Sequence, residues 1–453
     1  MATPPPALLL DLYELTMAQS YVDEGMTAPA TFSLFARHLP RDWGYLVAAG
    51  LDDVLSYLET LAFGAEELSY LRSTGLFTPT FLDHLGRLRF TGSVRAMPEG
   101  TVCFPNEPLL EVTAPIVEAQ LVESAIVNQV HFQTLIASKA ARCVEAAVGR
   151  RLVDFGLRRT HGYDAGLKAA RSAYLVGFDA TSNVLAGQRY GIPIAGTMAH
   201  SYVEAFGDEA ESFRAFVRAY PDGTTLLVDT YDTVRGIERA AAVGRELAAA
   251  GHRLGGVRLD SGDLGADSAE ARRILDAAGL TDATIFVSGN LDEHTIAALL
   301  AAGAPIDGFG VGTRMGVSAD APYLDMAYKL VAYDGRPTLK TSAGKATWPG
   351  PKQVWRRRDA RGPADLVALA AEPGPAEAEP LLLPAMADGR RTGTTSLAEV
   401  RARARAEIER LAPEQRRLTA PAAPSVGFSA ELVRLRDALT ARVSPRPPQP
   451  AVV

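Results

Sequence analysis

The chain has 453 residues, 47% of them apolar and 22% charged, with a formal net charge of −7, which fits a globular chain long enough for two or three domains. An acidic balance of this size argues against a broad nucleic-acid surface but leaves room for a local basic pocket that takes small anions. Cys103 and Cys143 alone cannot make a disulfide framework or a zinc site, and the early apolar run Ala7–Leu10, closed by Asp11, suits neither a secretory leader nor a membrane span, so a cytoplasmic address is expected.

The first 90 residues mix helical stretches with short apolar runs, and Gly92 to Thr113 reads as strands broken by Pro98, Gly100, Pro105 and Pro108. Residues 1–120 are therefore expected to form an α+β domain. Val122, Ile126 and Val130 then recur at a spacing of four, and the pattern persists to about Val148 before Gly149, which predicts one long helix leading into a second domain.

From Arg151 the rhythm changes to a short apolar run, a small or polar cluster, and then ten to twenty residues of helical pattern. The runs are Arg151–Phe155, Ile192–Ala195, Thr225–Val228, Gly256–Leu259, Thr284–Val287 and Gly308–Val311. Alternating strands and helices imply parallel pairing through right-handed crossovers. Each run is followed at once by Gly, Ser, Thr or Asp, which favours an α/β barrel over 121–355 with its site at the C-terminal ends of the strands. A doubly wound sheet would alternate in the same way. However, Gly310-Val-Gly312 lacks the third glycine of a dinucleotide fingerprint, and Gly344-Lys-Ala346 lacks the upstream glycine and the hydroxyl of a phosphate-binding loop.

Beyond Tyr328 strands return. Glu372 to Pro384, rich in Pro, Glu and Ala, reads as a flexible connector within a C-terminal segment 356–453, two charged helices follow it, and Ser444–Val453 is expected to be disordered.

Chemistry-bearing residues collect at the strand ends. Val287-Ser-Gly-Asn290 and Gly308-Phe-Gly-Val-Gly-Thr313 combine close backbone approach with the positive end of a following helix, which suits phosphate. Val257-Arg-Leu-Asp-Ser-Gly-Asp263 places Arg258, Asp260 and Ser261 together; Arg258 and Asp260 alternate with apolar neighbours and should both point into the barrel mouth, where a sugar phosphate or a pyridine acid would find them. Gly196-Thr-Met-Ala-His-Ser201 brings His200 to a helix start near that mouth, with His161 as its only nearby rival, and Phe155-Gly-Leu-Arg-Arg159 offers a ring face with Arg158 and Arg159 beside it. Taken singly, each has a plainer explanation: tight turns, an internal ion pair, a structural imidazole, or a core ring beside surface arginines.

Six stretches in order make the chain resemble the nicotinate phosphoribosyltransferases: Asp11-Leu-Tyr-Glu-Leu-Thr-Met17, Phe155-Gly-Leu-Arg-Arg159, Gly177-Phe-Asp-Ala-Thr-Ser-Asn-Val-Leu-Ala-Gly187, Gly196-Thr-Met-Ala-His-Ser201, Val257-Arg-Leu-Asp-Ser-Gly-Asp-Leu264 and Gly308-Phe-Gly-Val-Gly-Thr313. The resemblance runs from about residue 8 to residue 358 and fades after the connector. It implies an irregular, TIM-like α/β barrel packed on an α+β domain built from the N-terminal part and later segments. It also implies synthesis of nicotinate mononucleotide and pyrophosphate from nicotinate and phosphoribosyl pyrophosphate, coupled to ATP hydrolysis, with Mg²⁺ accompanying the phosphates, in a homodimer whose subunits complete each other's sites.

Residue by residue, the resemblance implies that Tyr13 stacks on the nicotinate ring from across the interface and Phe155 takes the opposite face. Arg258, Thr197 and Asp179 surround pyridine and ribose, Gly289, Gly310 and Gly312 cradle the ribose phosphate, and His200 is the histidine that ATP phosphorylates. Arg37, Lys340 and Lys345 match basic positions that reach phosphates, the last two in a loop shorter and less acidic than the commonest family pattern. The rivals are a sister enzyme for nicotinamide or quinolinate and a catalytically silent sugar-phosphate-binding barrel. The Gly-Thr-Met-Ala-His-Ser stretch favours the nicotinate branch, and intact His200, Arg258 and Asp260 argue against silence.

Overall fold

The computed structural model describes residues 6–342, 347–359 and 362–443. They form two compact units, one from Ile136 to Pro322 and one assembled from the flanks, up to Leu135 and from Tyr323 onward. Among the described residues no helix is long and apolar enough to cross a membrane.

The Ile136–Pro322 unit is built on six parallel strands, Arg151–Asp154, Ala180–Thr181, Thr225–Leu227, Gly256–Leu259, Thr284–Ser288 and Gly308–Val311. Named by first residue, their order across the sheet is Ala180, Arg151, Gly308, Thr284, Gly256, Thr225. Read as a circle this is chain order, the signature of a barrel laid down one strand and one helix at a time. Val153, Leu226, Val257, Leu259, Ile285, Val287, Phe309 and Val311 are all buried along it. Asp232, Asp263 and Asp292 accept backbone N–H bonds at the starts of helices Thr233–Ala249, Leu264–Ala277 and Glu293–Ala301, so much of the acidity after the strands is helix capping.

The ring has one open seam, because the Ala180 and Thr225 strands are the two ends of the sheet. Ile192–Ala195, expected as a strand, supplies only a single bridge between Ile194 and Thr181. Its carbonyl at Pro193 accepts from Thr181 and its Ala195 N–H donates back to Thr181, but proline has no N–H to extend the ladder. The short strand Ala180–Thr181, not read from periodicity, takes the place beside Arg151–Asp154.

The predicted long helix is present as Glu123–Ala147, preceded by a short turn of helix, Ile116–Leu121. In the barrel unit its Lys139 and Arg142 both donate to Glu293, each at 2.8 Å, so a buried carboxylate has cations on two sides.

The other unit centres on a seven-stranded sheet in which Pro29–Ala36 pairs antiparallel with Met326–Tyr333 on one side and Pro108–Pro115 on the other. A second, four-stranded sheet contains Lys352–Asp359 and Gly362–Leu369. Residues 372–384, expected as a connector, are partly laid into these sheets: Glu379–Pro380 pairs with Trp355 and Arg356, and Leu383–Ala387 pairs with Ser93–Ala96. Composition misled here because Pro380 sits in an edge strand, where a missing donor costs little. Helices Leu397–Glu409 and Ala430–Val443 follow as expected.

Within this unit the Arg356 side chain is fully buried, with Nε donating to Asp365 and Nη1 to Glu407, both at 2.8 Å. Glu107 is also fully buried and accepts from the Phe104 N–H at 2.9 Å. Burial, reinforced by the adjacent Asp365 charge, pushes the Glu107 carboxyl well above its ordinary value. A carboxyl raised in the folded state binds its proton more tightly folded than unfolded, so its contribution is present at low pH and is lost as pH rises from the ordinary range, about 4.3, through the folded value. Glu107→Gln, which keeps a neutral side chain at all pH, should therefore lose less Tm between pH 5 and pH 8 than the parent, by about 1–2 °C for each kcal/mol recovered. Parallel pH curves for the two proteins would refute the assignment.

Candidate active site

Phe155 follows the Arg151–Asp154 strand, and the turn beneath it is fixed from below. The buried Asp154 carboxylate accepts from the Gly156 N–H at 2.8 Å and from Thr181 Oγ1 at 2.7 Å, joining two strand ends. The half-buried Phe155 ring packs against Phe286 at 5.9 Å. Gly310 makes room for it, since a Cβ there would stand 2.6 Å from the Phe155 ring. Gly310→Ala should therefore displace the ring and raise the Km for a stacked substrate about fivefold, in keeping with loss of one aromatic contact of about 1 kcal/mol. An unchanged Km would remove Phe155 from the ring slot.

Arg258 lies over the same ring, its Cζ 5.1 Å from the centroid. Its guanidinium is fully directed: Nε donates to Ser288 Oγ at 2.8 Å, Nη1 to Thr197 Oγ1 at 3.0 Å and Nη2 to Asp260 Oδ1 at 2.7 Å. Burial works against charge on Asp260, but the Ser288 hydroxyl and the Arg258 guanidinium outweigh it and hold the carboxyl below its usual range. Asp260 thus stays ionised at the barrel mouth.

His200 opens the helix His200–Phe206. Its Nδ1 is 3.1 Å from Thr230 Oγ1, and its Nε2 faces two carboxylates, Asp260 Oδ2 at 3.9 Å and Asp229 Oδ1 at 4.0 Å. The Asp229 side chain is fully buried; Oδ2 accepts from the Asp260 N–H at 2.8 Å and from Ser261 Oγ at 2.6 Å, while Oδ1 has no hydrogen-bond partner. An orphaned buried carboxylate oxygen is costly unless something completes it, and the nearby imidazole edge can do so.

These side chains come from separate strand tips to one end of the barrel, and the chain's similarity to known proteins decides which chemistry they belong to. Three family models match it: the nicotinate phosphoribosyltransferase (NAPRTase) N-terminal domain over residues 8–131, the NAPRTase family over 150–343 and the nicotinate phosphoribosyltransferase C-terminal domain over 371–436. The chain belongs to the nicotinate phosphoribosyltransferase family. It is 51% identical over 448 residues to nicotinate phosphoribosyltransferase pncB2 of Mycobacterium tuberculosis, covering 97% of this chain and 96% of the relative. It is 34% identical to human nicotinate phosphoribosyltransferase, covering 97% of each chain. The crystal structure of human nicotinic acid phosphoribosyltransferase superposes with a TM-score of 0.86 over 95% of this chain and 100% of that one. A nicotinate-nucleotide pyrophosphorylase from Pyrococcus furiosus superposes at 0.73, with 26% identity, over 89% and 95%. The C-terminal match corrects the reading that the resemblance ends near residue 358: the sheet and helices beyond belong to the family too.

The structure gathers Thr197, Arg258, Asp260 and Ser261 through hydrogen bonds, with Phe155 beneath the Arg258 guanidinium, His200 facing Asp260 and Asp229, and Gly310 under Phe155. Gly289 (φ 97°) abuts the Asp260 carbonyl, where a Cβ would stand 2.1 Å away, and a Cβ on Gly312 would stand 2.8 Å from the Phe155 carbonyl. Thr313 begins the four-residue helix Thr313–Gly316. Arg158 is exposed on the turn Leu157–Arg159, like Arg159.

Asp179 is not brought into the group. It precedes the Ala180 strand, and its Oδ2 accepts from the Leu152 N–H at 2.9 Å, near the start of the neighbouring strand and away from its tip. Tyr13, Arg37 and Lys340 are carried by the other unit: Tyr13 is 45% exposed on helix Leu12–Asp23, Arg37 donates to Asp325 at 2.6 Å, and Lys340 is exposed. Lys345 lies outside the described residues.

Sequence reasoning missed Asp154, Asp229 and Thr230 as parts of the site, and read Ser288 only as part of a phosphate-binding turn, not as a partner of Arg258. Asp229 and Thr230 end a strand like the others, but no arginine or histidine stands beside them in sequence to draw notice. Arg314, next to Thr313, donates to Asp292 at 2.6 Å and links the two glycine turns. Among the described residues no group of three or more His, Cys, Asp or Glu could hold a metal ion.

Proposed function

We propose that the barrel mouth joins nicotinate to the ribose phosphate of phosphoribosyl pyrophosphate, forming nicotinate mononucleotide and pyrophosphate. The observation that carries this is Arg258, locked by Ser288, Thr197 and Asp260 over the Phe155 face. A flat ring with a carboxylate edge fits that arrangement, the ring on Phe155 and the carboxylate toward the guanidinium.

The pyridine nitrogen carries a free lone pair, so no general base is required. It attacks the anomeric carbon, the carbon–oxygen bond to pyrophosphate breaks, and that electron pair leaves with the pyrophosphate. Catalysis is then orientation plus stabilisation of charge on the sugar. Asp260, kept ionised, is placed to hold the ribose hydroxyls and favour the cationic sugar. The turns at Gly289 and Gly312 to Thr313 supply backbone donors for the ribose phosphate. The described side chains offer no cage for magnesium; arriving with the substrate phosphates, it would supply charge to neutralise the departing pyrophosphate.

Coupling to ATP, in this reading, runs through His200. With Nε2–H turned to Asp229 and Asp260, the Nδ1 lone pair is capped by the Thr230 hydroxyl at 3.1 Å; once that hydroxyl turns away, Nδ1 attacks the γ-phosphorus as ADP leaves, and water later takes the phosphoryl group, giving phosphate and the free imidazole. Asp229 is a positioning residue whose orphaned oxygen stabilises the positive ring. The same reading places Tyr13, with Arg37, Lys340 and Lys345, at a site completed across a homodimer, includes Arg158 among the substrate contacts, and puts the chain in the cytoplasm in NAD biosynthesis.

One assay tests the reaction: nicotinate mononucleotide formed from nicotinate and phosphoribosyl pyrophosphate, with and without ATP, with nicotinamide and quinolinate as competitors. Product from either competitor at a higher rate, or no pyrophosphate released, would overturn the proposal.

A further inference from the structure

The open seam of the barrel leads to a cavity of about 480 Å³, within the range of about 300–1,000 Å³ that small-molecule sites occupy. Arg151, Val153 and Phe155 alternate along one strand and all line it, so the cavity runs from the ring slot toward the opposite end of the barrel. Thr197 and Phe286 also line it near the slot. Its lips are the two sides of the seam, Ala195 and Gly196 facing Gly223 to Thr225, and its side wall is the tilted pair Phe216 and Tyr220, 5.2 Å apart. Arg258 is absent from the lining, but its guanidinium donates to Thr197, which lines the cavity.

The charges are asymmetric. Asp222 lies at the seam, but its carboxylate is engaged by His252 at 3.0 Å. Arg151 is exposed at its strand start, and no described residue pairs with its guanidinium. A lone guanidinium at the far end of a cavity walled by aromatic rings suits a flat anion that stacks and forms an ion pair at once.

We propose that this cavity is a second binding station, behind the ring slot, for an aromatic monocarboxylate such as a second molecule of nicotinate, with Arg151 as its cation and Phe216 and Tyr220 as its wall. This rests on the proposed function only in taking the Phe155 slot as the place of the reacting ring. Because Phe155 belongs to both, acid held at the rear station adjoins the slot while phosphoribosyl pyrophosphate occupies the mouth.

The test is equilibrium dialysis of labelled nicotinate against the full chain saturated with nicotinate mononucleotide, which fills the slot. One nicotinate per chain should still bind. Arg151→Glu should weaken that binding at least tenfold and leave the synthesis rate at low nicotinate unchanged; Arg151→Gln, a gentler change at an exposed position, should weaken it in the same direction, and Tyr220→Ala several-fold. Complete displacement of nicotinate by the mononucleotide, or binding indifferent to all three substitutions, would overturn the rear station and leave the proposed reaction standing. Failure of the mononucleotide itself to bind would overturn that reaction, and the inference that rests on it would fall too.

Discussion

Arg258→Lys is expected to lower kcat/Km for nicotinate about 10²- to 10³-fold, on the order of 2.7–4 kcal/mol, the usual loss when one preorganised polar contact at a reacting centre is removed. The guanidinium meets Ser288, Thr197 and Asp260 simultaneously while lying over Phe155. A lysine ammonium is a point charge on a flexible stem and cannot hold three divergent acceptors in one plane. Because charge is conserved, Asp260 keeps a cation nearby and the barrel should fold normally, which a thermal melt would verify. The effect should fall on nicotinate more than on phosphoribosyl pyrophosphate. Initial rates with each substrate varied will show the split, and a lysine variant with the parent's kcat/Km would mean that Arg258 serves the barrel alone.

His200→Ala is expected to abolish labelling of the chain by γ-labelled ATP and all stimulation by ATP, while a slower ATP-independent synthesis remains, because the ring slot does not include the imidazole. Asp229→Asn separates positioning from acceptance. With Oδ1 no longer anionic beside Nε2, the histidine remains but should accept phosphate about 10²-fold more slowly or worse, as happens when an imidazole loses its orienting carboxylate. Since Asp229 also takes the Asp260 N–H and the Ser261 hydroxyl, the Km for phosphoribosyl pyrophosphate should be read alongside. Normal labelling in His200→Ala, or in Asp229→Asn, would defeat the respective role.

Much of this site could be read from residues because strand periodicity fixes direction: Arg258 and Asp260 alternate with buried Val257 and Leu259, so both had to face one way. His200 followed from its place at a helix start. Asp229 did not, because what marks it is an oxygen without a partner, a property of three-dimensional packing. Asp179 shows the reverse limit: its motif matched, yet its carboxylate is occupied by the Leu152 N–H. The glycines were legible as close approaches, but what approaches Gly310 is the Phe155 ring, and what approaches Gly289 is the Asp260 carbonyl. The α/β alternation gave the barrel, since each unit of it is local. The flanking sheet was harder, because its partners lie hundreds of residues apart and no periodicity records who pairs with whom.

That separation has a consequence for synthesis on the ribosome. Pro29–Ala36 must wait for Met326–Tyr333 to complete one of its edges, a delay on the order of 15–60 s at translation rates of about 5–20 residues per second. The barrel's own strands all emerge during the wait and can close among themselves. Nascent chains from which everything up to Pro322 has left the ribosome, and little beyond, should therefore hold a protease-resistant barrel joined to an apolar strand with a bare edge, the species most exposed to aggregation and to capture by chaperones.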